Sequence, residues 1–564
     1  MSNFIIIFFE YFPAMLSGFL LTLSFPKSEL TFLAWIALVP LILYLYRVKD
    51  SAAVDKKKAF NAGFIMGLCH FLSLLYWIVP TISTYGLLPL FVAIPILILL
   101  ACYLALYPAV FTLGLSWFKC AYMQKNKEKK NINPSPVGRA GEGLGVTSLN
   151  NLLMPLVAAA LWVSLEYIRS IFLTGFPWGL VGYSQYMHLN LIQIADITSV
   201  YGISFMVVMT NFVLAKVVMA ACAKSFKIDV LVWIICLVVM FGGVIGYGKI
   251  RITDIEKEAE QSEMVNISVV QGNIDQVLKW DLAYQESTIT KYCKLSIEAA
   301  QQKIRPDLII LPETALPFYY GWNKQLSSKF DECIREAGTS FLIGSPAFKT
   351  VDEVAKIYNF YNRAYMVNEL GVIIGSCDKV HLVPFGEYVP FGKYLSFLGK
   401  IIAQAGDFSS GETDIKPLTF TGATNKSSAG VLICFEIIFP YLSRTAVKNG
   451  AHILVTMTND AWFGYTSAAK QHFTMAVFRA IENRRAVARA ANTGISGFID
   501  QTGKIVQTSE LFKDAALTQQ LPSMNIKTTY TKFGDIFAFV CMFAIAALFV
   551  VNIARKKAGS KTKS

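Results

Sequence analysis

Two apolar runs and one mixed segment of this 564-residue chain lead into side chains able to do covalent chemistry. Leu-Ile-Ile-Leu-Pro runs into Glu313, and Val-Leu-Ile runs into Cys434, which Phe435 and Glu436 follow. Between them, Cys-Asp-Lys-Val-His-Leu-Val-Pro-Phe-Gly-Glu-Tyr-Val-Pro-Phe (377–391) sets Lys379 ahead of a loop that carries Glu387. A carboxylate, an ammonium and a thiol together suit acyl transfer. A free thiol titrates near pH ~8.5, so at neutral pH it needs a base or a positive neighbour. Glu313 is the candidate base, taking the thiol proton and later that of an incoming amine. Lys379 is the candidate stabiliser of a tetrahedral oxyanion, together with a backbone N–H. Glu387 either orients Lys379 or serves as a second acid/base group. None of these roles calls for a metal or a cofactor, and His70, His188, His381, His452 and His472 make no zinc-ligand spacing.

Each of these residues also has a plainer reading. A cysteine after an apolar strand is commonly a core residue, Glu313 is equally placed to cap a helix, and Lys379 alone reads as a solvated lysine. Glu436 also fits a structural hydrogen-bond acceptor. Cys377, two residues before Lys379, is the rival thiol. The case for chemistry rests on the set, not on any member.

To converge, these groups must stand beyond the carboxyl ends of neighbouring strands, where α/β sheets bind ligands. Residues 265–272, 306–313, 340–346, 429–436 and 451–460 read as buried strands, and helical patterns cover about 282–303, 323–337 and 468–486. Strands alternating with helices predict an α/β sandwich over 248–530.

The rest of the chain has a different composition. Overall it is 54% hydrophobic and 16% charged, well short of the ~25% charge of soluble domains. Runs long enough to cross a bilayer lie near 4–24, 31–47, 59–79, 86–117, 152–174, 192–221, 228–247 and 534–554. The 86–117 run holds Pro89, Pro95 and Pro108 and reads as one kinked span or two short ones. Counted once, it gives about eight transmembrane helices: seven in a membrane domain at 1–247 and one in a C-terminal segment at 531–564. The first run lacks the basic start of a signal peptide.

The net charge of +13 sits beside these spans, because 248–530 holds 29 Lys and Arg against 28 Asp and Glu. Basic residues at 47–58, 119–139, 224–227 and 555–563 fall on one face, which puts both termini in the cytoplasm and 248–530 on the opposite side. That distribution is a topology signal and argues against nucleic-acid binding. Residues 121–151 are polar and read as a flexible cytoplasmic loop. Residues 384–402 are rich in aromatics and aliphatics and read as a lid or arm dipping into lipid, with a domain-packing patch as the plainer alternative.

The order Glu…Lys…Cys, in LPET, the lysine segment leading into HLVPFGEYVP, and LICFE, resembles the nitrilase superfamily. Within it, HLVPFGEYVP, QGNIDQVLKW (271–280) and LTGFPWGLVGYSQ (173–185) are similar to segments of the apolipoprotein N-acyltransferases. The resemblance covers roughly residues 10–555. It implies a multi-span α-helical membrane domain joined to an αββα sandwich, with Glu313, Lys379 and Cys434 as the catalytic triad. Glu387, Trp280, Phe435 and Glu436 would support it or contact substrate.

The implied reaction is ping-pong and needs no cofactor. The sn-1 acyl chain of phosphatidylethanolamine passes to the cysteine and then to the α-amine of a diacylglyceryl-cysteine apolipoprotein. The implied setting is the inner membrane of a Gram-negative cell, with the catalytic domain periplasmic and a monomer as the default. Phe435 departs from the tyrosine of many relatives, which points to packing rather than a hydroxyl at that position. The 133–150 insertion is longer than the family needs.

Overall fold

The computed structural model describes residues 3–46, 55–132, 146–226, 228–389, 408–422 and 426–561. Numbering helices of eight residues or more, the amino-terminal half contains α1 (Asn3–Leu23), α2 (Val39–Tyr46), α3 (Lys56–Leu74), α4 (Leu90–Ile132), α5 (Val146–Ile171), α6 (Val200–Cys222) and α7 (Ile228–Glu260). Among the described residues, five helices are long and apolar enough to cross a membrane, or six if α3 and the Ile78–Tyr85 segment, bent by 56°, form one span. The expected spans at 4–24 and 31–47 are shorter apolar helices, Phe8–Leu23 and Thr31–Tyr46.

The second of these breaks between a 3-10 turn at Thr31–Trp35 and α2. Its freed backbone groups are met by a neighbour: the Leu38 N–H donates to Asn211 Oδ1 at 2.8 Å, and Asn211 Nδ2 donates to the Ala34 carbonyl at 2.8 Å. In an apolar surrounding a broken helix persists only with such partners.

The 86–117 ambiguity resolves as one helix, because α4 runs through Pro95 and Pro108 unbroken. Its close partner is α3, where a Cβ at Gly63 would stand 2.2 Å from the Pro108 carbonyl oxygen and one at Gly67 2.8 Å from Ala105 Cα. This is the small-residue packing by which apolar helices approach without a hydrophobic driving force. The expected loop at 121–151 is a loop only in part. The helix continues through Ile132, carried by the good helix formers Gln, Lys and Glu, and α5 begins at Val146; residues 133–145 lie outside the described residues. Helix α7 continues past the expected boundary at 247 to Glu260.

The following segment forms twelve strands: β1 (Met264–Gln271), β2 (Leu308–Ile310), β3 (Ser340–Asp352), β4 (Ile357–Val367), β5 (Ile373–Asp378), β6 (Leu418–Thr421), β7 (Lys426–Ile433), β8 (Ile453–Thr458), β9 (Val487–Ala491), β10 (Gly497–Ile499), β11 (Ile505–Thr508) and β12 (Ala515–Pro522). They make two six-stranded sheets, ordered β12-β1-β2-β3-β4-β5 and β11-β10-β9-β8-β7-β6. The centres, β1-β2-β3 and β7-β8-β9, are parallel.

The sheets meet face to face. Val265, Ile267 and Val269 of β1 face Ile453, Val455 and Met457 of β8 across the middle layer, while the alternate residues Val270 and Leu454 point outward to helices. Strands covered on both faces read as continuous apolar runs. Helices α8 (Gln285–Ala300) and α9 (Lys324–Ala337) cover the first sheet. Helices α10 (Pro440–Lys448) and α11 (Ala468–Asn483) cover the second, completing the αββα sandwich. After β12 the chain returns to apolar sequence in α12 (Ile536–Lys561).

Helix α11 is buried along all its residues except Lys470, because its outer face packs on the amino-terminal half. There the guanidinium of Arg484 donates to Asp196 Oδ2 at 2.8 Å and to Gln193 Oε1 at 2.6 Å, and Arg251 reaches the same Asp196 oxygen at 2.8 Å. Asp196→Ala would strand two guanidinium groups. Removing one partner of a buried pair costs about 3–5 kcal/mol, so the variant should melt clearly below wild type in detergent. An unchanged melting temperature would mean that this network does not hold the two halves together.

Candidate active site

Glu313 lies just beyond β2, where Pro312 ends the ladder by lacking an N–H. The turn fits against β3 because position 344 is glycine; a Cβ there would meet the Pro312 carbonyl oxygen at 2.4 Å. The carboxylate points inward and is buried. Its Oε1 accepts from Lys379 Nζ at 3.1 Å and Asn362 Nδ2 at 2.7 Å, and its Oε2 accepts from the Asn459 backbone N–H at 3.0 Å. Burial pushes this acid up, but the ammonium of Lys379, with help from Lys279 and Asn362, outweighs it and holds the carboxyl below its ordinary value.

Lys379 follows β5 and is 1% exposed. Its ammonium bridges two carboxylates, Glu313 and Glu387, the latter at 2.9 Å. Burial opposes its charge, yet Glu313, Glu387 and the nearby Cys434 raise it well above an ordinary lysine. Glu387 is fixed in turn: its Oε2 accepts the Val383 N–H at 2.8 Å.

Cys434 closes β7 at φ +56°, a left-handed backbone that costs a residue with a Cβ. Two devices hold it there. Glu436, two residues on, takes three backbone N–H groups: Ile433 at 2.6 Å, Val380 at 2.6 Å and His381 at 3.0 Å. One carboxylate thus ties the Cys434 turn to the segment after Lys379. Burial pushes Glu436 up to about 7 against these three donors.

The second device lies behind the cysteine. His472 Nε2 donates to the Cys434 carbonyl at 3.1 Å. Arg489 lies 3.0 Å from His472 Nδ1 and donates to Asp460 Oδ2 at 2.7 Å, and Asp460 Oδ1 stands 3.2 Å from the same Nδ1, so the Arg489–Asp460 pair fixes the ring. Burial and Arg489 keep this imidazole below its usual value, hence neutral. Trp178, from the 173–185 segment, stacks on the His472 ring at 5.7 Å and donates to Gln471 Oε1 at 2.8 Å.

The thiol itself is not ionised at rest. Burial raises Cys434, the Glu313 carboxylate raises it further, and the Lys379 ammonium pulls in the opposite direction. The resting proton therefore sits on sulfur, beside a carboxylate that can take it.

The structure brings Glu313, Lys379, Glu387 and Cys434 into one cluster, with Glu436 beneath it. Phe435 makes aromatic contacts instead, its ring 5.3 Å from Phe439 and 6.0 Å from His381. Cys377 packs against the core between the sheets, and burial raises its thiol. Trp280 is half-buried in the turn before α8; its neighbour Lys279 is the residue that enters the site, donating to the Glu313 carbonyl at 3.2 Å. Asn362, Asn459 and His472 belong to the site without any sequence pattern that marks them, and Lys279 lies in the 271–280 segment, of which the resemblance picks out only Trp280. Most of the 384–402 arm lies outside the described residues.

Comparison with known proteins follows the same division. Residues 17–213 match the model of the apolipoprotein N-acyltransferase N-terminal domain, and residues 266–530 match that of the carbon-nitrogen hydrolases. An apolipoprotein N-acyltransferase from Geobacter metallireducens is 41% identical over 97% of this chain and 96% of its own length. One from Haemophilus influenzae is 29% identical over 96% of this chain and 94% of its own. Among solved structures, a carbon-nitrogen hydrolase from Helicobacter pylori covers 49% of this chain and 94% of its own, at 14% identity and a TM-score of 0.37.

The clamp on the Cys434 turn makes a specific prediction. Glu436→Gln keeps the side-chain shape but turns one acceptor into a donor facing backbone N–H groups. A buried donor left unsatisfied costs about 1–3 kcal/mol, so the variant should melt at a lower temperature in detergent and Glu436→Ala lower still. Wild-type stability in the glutamine variant would show that the turn is held by other contacts.

Proposed function

Because the chain belongs to the family of apolipoprotein N-acyltransferases, we propose that it moves an acyl chain from a phospholipid to an apolipoprotein through a thioester on Cys434. The observation that carries this reading is the buried cluster in which Lys379 bridges Glu313 and Glu387 beside the nucleophile turn.

In the first half-reaction the Cys434 sulfur attacks the sn-1 ester carbonyl of phosphatidylethanolamine while Glu313 takes the thiol proton. Glu313 lies below and Cys434 above their ordinary titration ranges, so transfer before attack is uphill. It becomes favourable as the developing charge passes from sulfur to the carbonyl oxygen, which the Lys379 ammonium and a backbone N–H of the nucleophile turn stabilise. The C–O bond then breaks, Glu313 returns its proton to the leaving alkoxide, and a lysophospholipid departs.

In the second half-reaction the α-amine of a diacylglyceryl-cysteine apolipoprotein attacks the thioester. Glu313 accepts the amine proton, the C–S bond breaks, and the thiolate recovers a proton from Glu313. The products are an amide and the starting enzyme. Glu387 and Asn362 keep the Lys379 ammonium and the Glu313 carboxylate in register, while Glu436 and His472 hold the turn.

The apolar helices support a membrane protein. The one-sided distribution of basic residues supports an inner-membrane placement with both termini cytoplasmic and the catalytic domain periplasmic. Both substrates are lipid-anchored, and a site joined to membrane helices suits them.

The reading is tested by the stoichiometry of lysophospholipid release from detergent-purified protein. Without acceptor, release should stop at about one equivalent per enzyme, the signature of a stalled acyl-enzyme; adding a diacylglyceryl-cysteine peptide should restore turnover. Glu313→Gln and Lys379→Met should each lower the first equivalent's rate by ~10²-fold or more. Continuous release without acceptor would instead identify a hydrolase, in which water resolves the thioester.

A further inference from the structure

The reaction above leaves unused a buried cation that touches the Glu313 turn. Lys279 sits in the turn between β1 and α8 and is 1% exposed. Among the described residues its ammonium has a single hydrogen-bond acceptor, the Glu313 main-chain oxygen at 3.2 Å. An ammonium carries three N–H donors, and a buried charge with donors to spare is costly unless it serves opposite charge nearby. The turn is pinned so that the side chain cannot swing away: Gln276 Oε1 accepts from Asn459 Nδ2 at 2.5 Å, and the Asn459 N–H holds Glu313 Oε2. The titratable groups acting on Lys279 are Glu313, beyond β2, and Cys434, beyond β7.

Charge counting shows what this cation does. Glu313 and Glu387 carry two negative charges and Lys379 one positive charge. Asp460 is paired with Arg489, and Glu436 is capped by backbone N–H groups. With Lys279 protonated, Glu313, Glu387, Lys379, Lys279 and the Cys434 thiol sum to zero, and the sum is unchanged when the Cys434 proton moves to Glu313. Without Lys279, a buried site must carry a net negative charge just as sulfur and then the acyl oxygen become anionic.

We propose that Lys279 is a positioning residue of the reaction centre, whose charge stabilises the Cys434 thiolate and whose hydrogen bond fixes the Glu313 turn. This rests on Cys434 being the nucleophile. Burial holds Lys279 down to about 8, so its charge is present below that pH and is lost as pH rises through it.

The test measures iodoacetamide alkylation of the Cys434 peptide by mass spectrometry, in full-length detergent-purified protein, for wild type, Lys279→Met and Lys279→Arg. An opposite charge nearby shifts a thiol by about one unit or more, so wild type should react about tenfold faster than Lys279→Met at about pH 6. That advantage should shrink toward nothing as pH rises through about 8, whereas Lys279→Arg should keep it.

A ratio that does not change with pH would be the mark of a purely structural residue and would overturn the proposal. Should Lys279→Met fail to fold, the arginine arm decides: divergence from wild type above about pH 8 supports the proposal, and identical profiles sink it. Alkylation needs no lipid, so a missing acyl-enzyme with the expected alkylation profile would count against the proposed function, not against this inference.

Discussion

A buried ammonium shared between two carboxylates is the interaction on which the site depends. Lys379 could not remain charged at 1% exposure without Glu313 and Glu387, and the Glu313 carboxylate could not stay ionised in that burial without Lys379. Each member fixes the protonation state of the next. Glu313 stays ionised because cations surround it, and Cys434 stays protonated because burial, and then the Glu313 charge, oppose its thiolate. The site therefore waits with its proton on sulfur and its acceptor a short step away, a state that only an arriving electrophile discharges.

The fold supplies this arrangement by bringing strand ends from two different sheets to one point. Glu313 and Lys379 come from the first sheet, and Cys434 comes from the second. The layer of alternate apolar residues between the sheets sets their separation. The amino-terminal half takes part directly. Trp178 stacks on His472, which in turn holds the Cys434 carbonyl, so the segment at 173–185 reaches Cys434 through one ring. Arg484, Asp196 and Arg251 fasten the same junction by charge. A catalytic domain so deeply buried along α11 is not a tethered passenger of the membrane helices.

Much of this arrangement is legible in the amino-acid sequence. Strands covered on both faces leave continuous apolar runs, and such runs end on Glu313 and Cys434. The residues that escape have weaker local signals. Strand β4, which delivers Asn362, starts exposed and becomes buried only toward its end, so its polarity blurs any period. Asn459 acts through its backbone N–H, which no residue type announces. His472 reads as an ordinary residue in the middle of a helix, and its role follows from a contact 38 positions away in sequence. Lys279 stands beside Trp280 in a segment whose aromatic is the more conspicuous residue; a lone lysine in a turn looks solvated until its burial is known. The break inside the expected span at 31–47 escapes for a related reason: a side chain of α6, Asn211, stabilises a break that apolar composition alone cannot reveal.

The central claim is that the acyl chain rides on Cys434. Intact-mass spectrometry of the detergent-purified protein after incubation with phosphatidylethanolamine, alongside Cys434→Ala, tests it most directly. Wild type should gain one acyl mass, mapped to the Cys434 peptide, absent from the variant and removed by a diacylglyceryl-cysteine peptide. An adduct on another residue, or acyl transfer that survives Cys434→Ala, would contradict it.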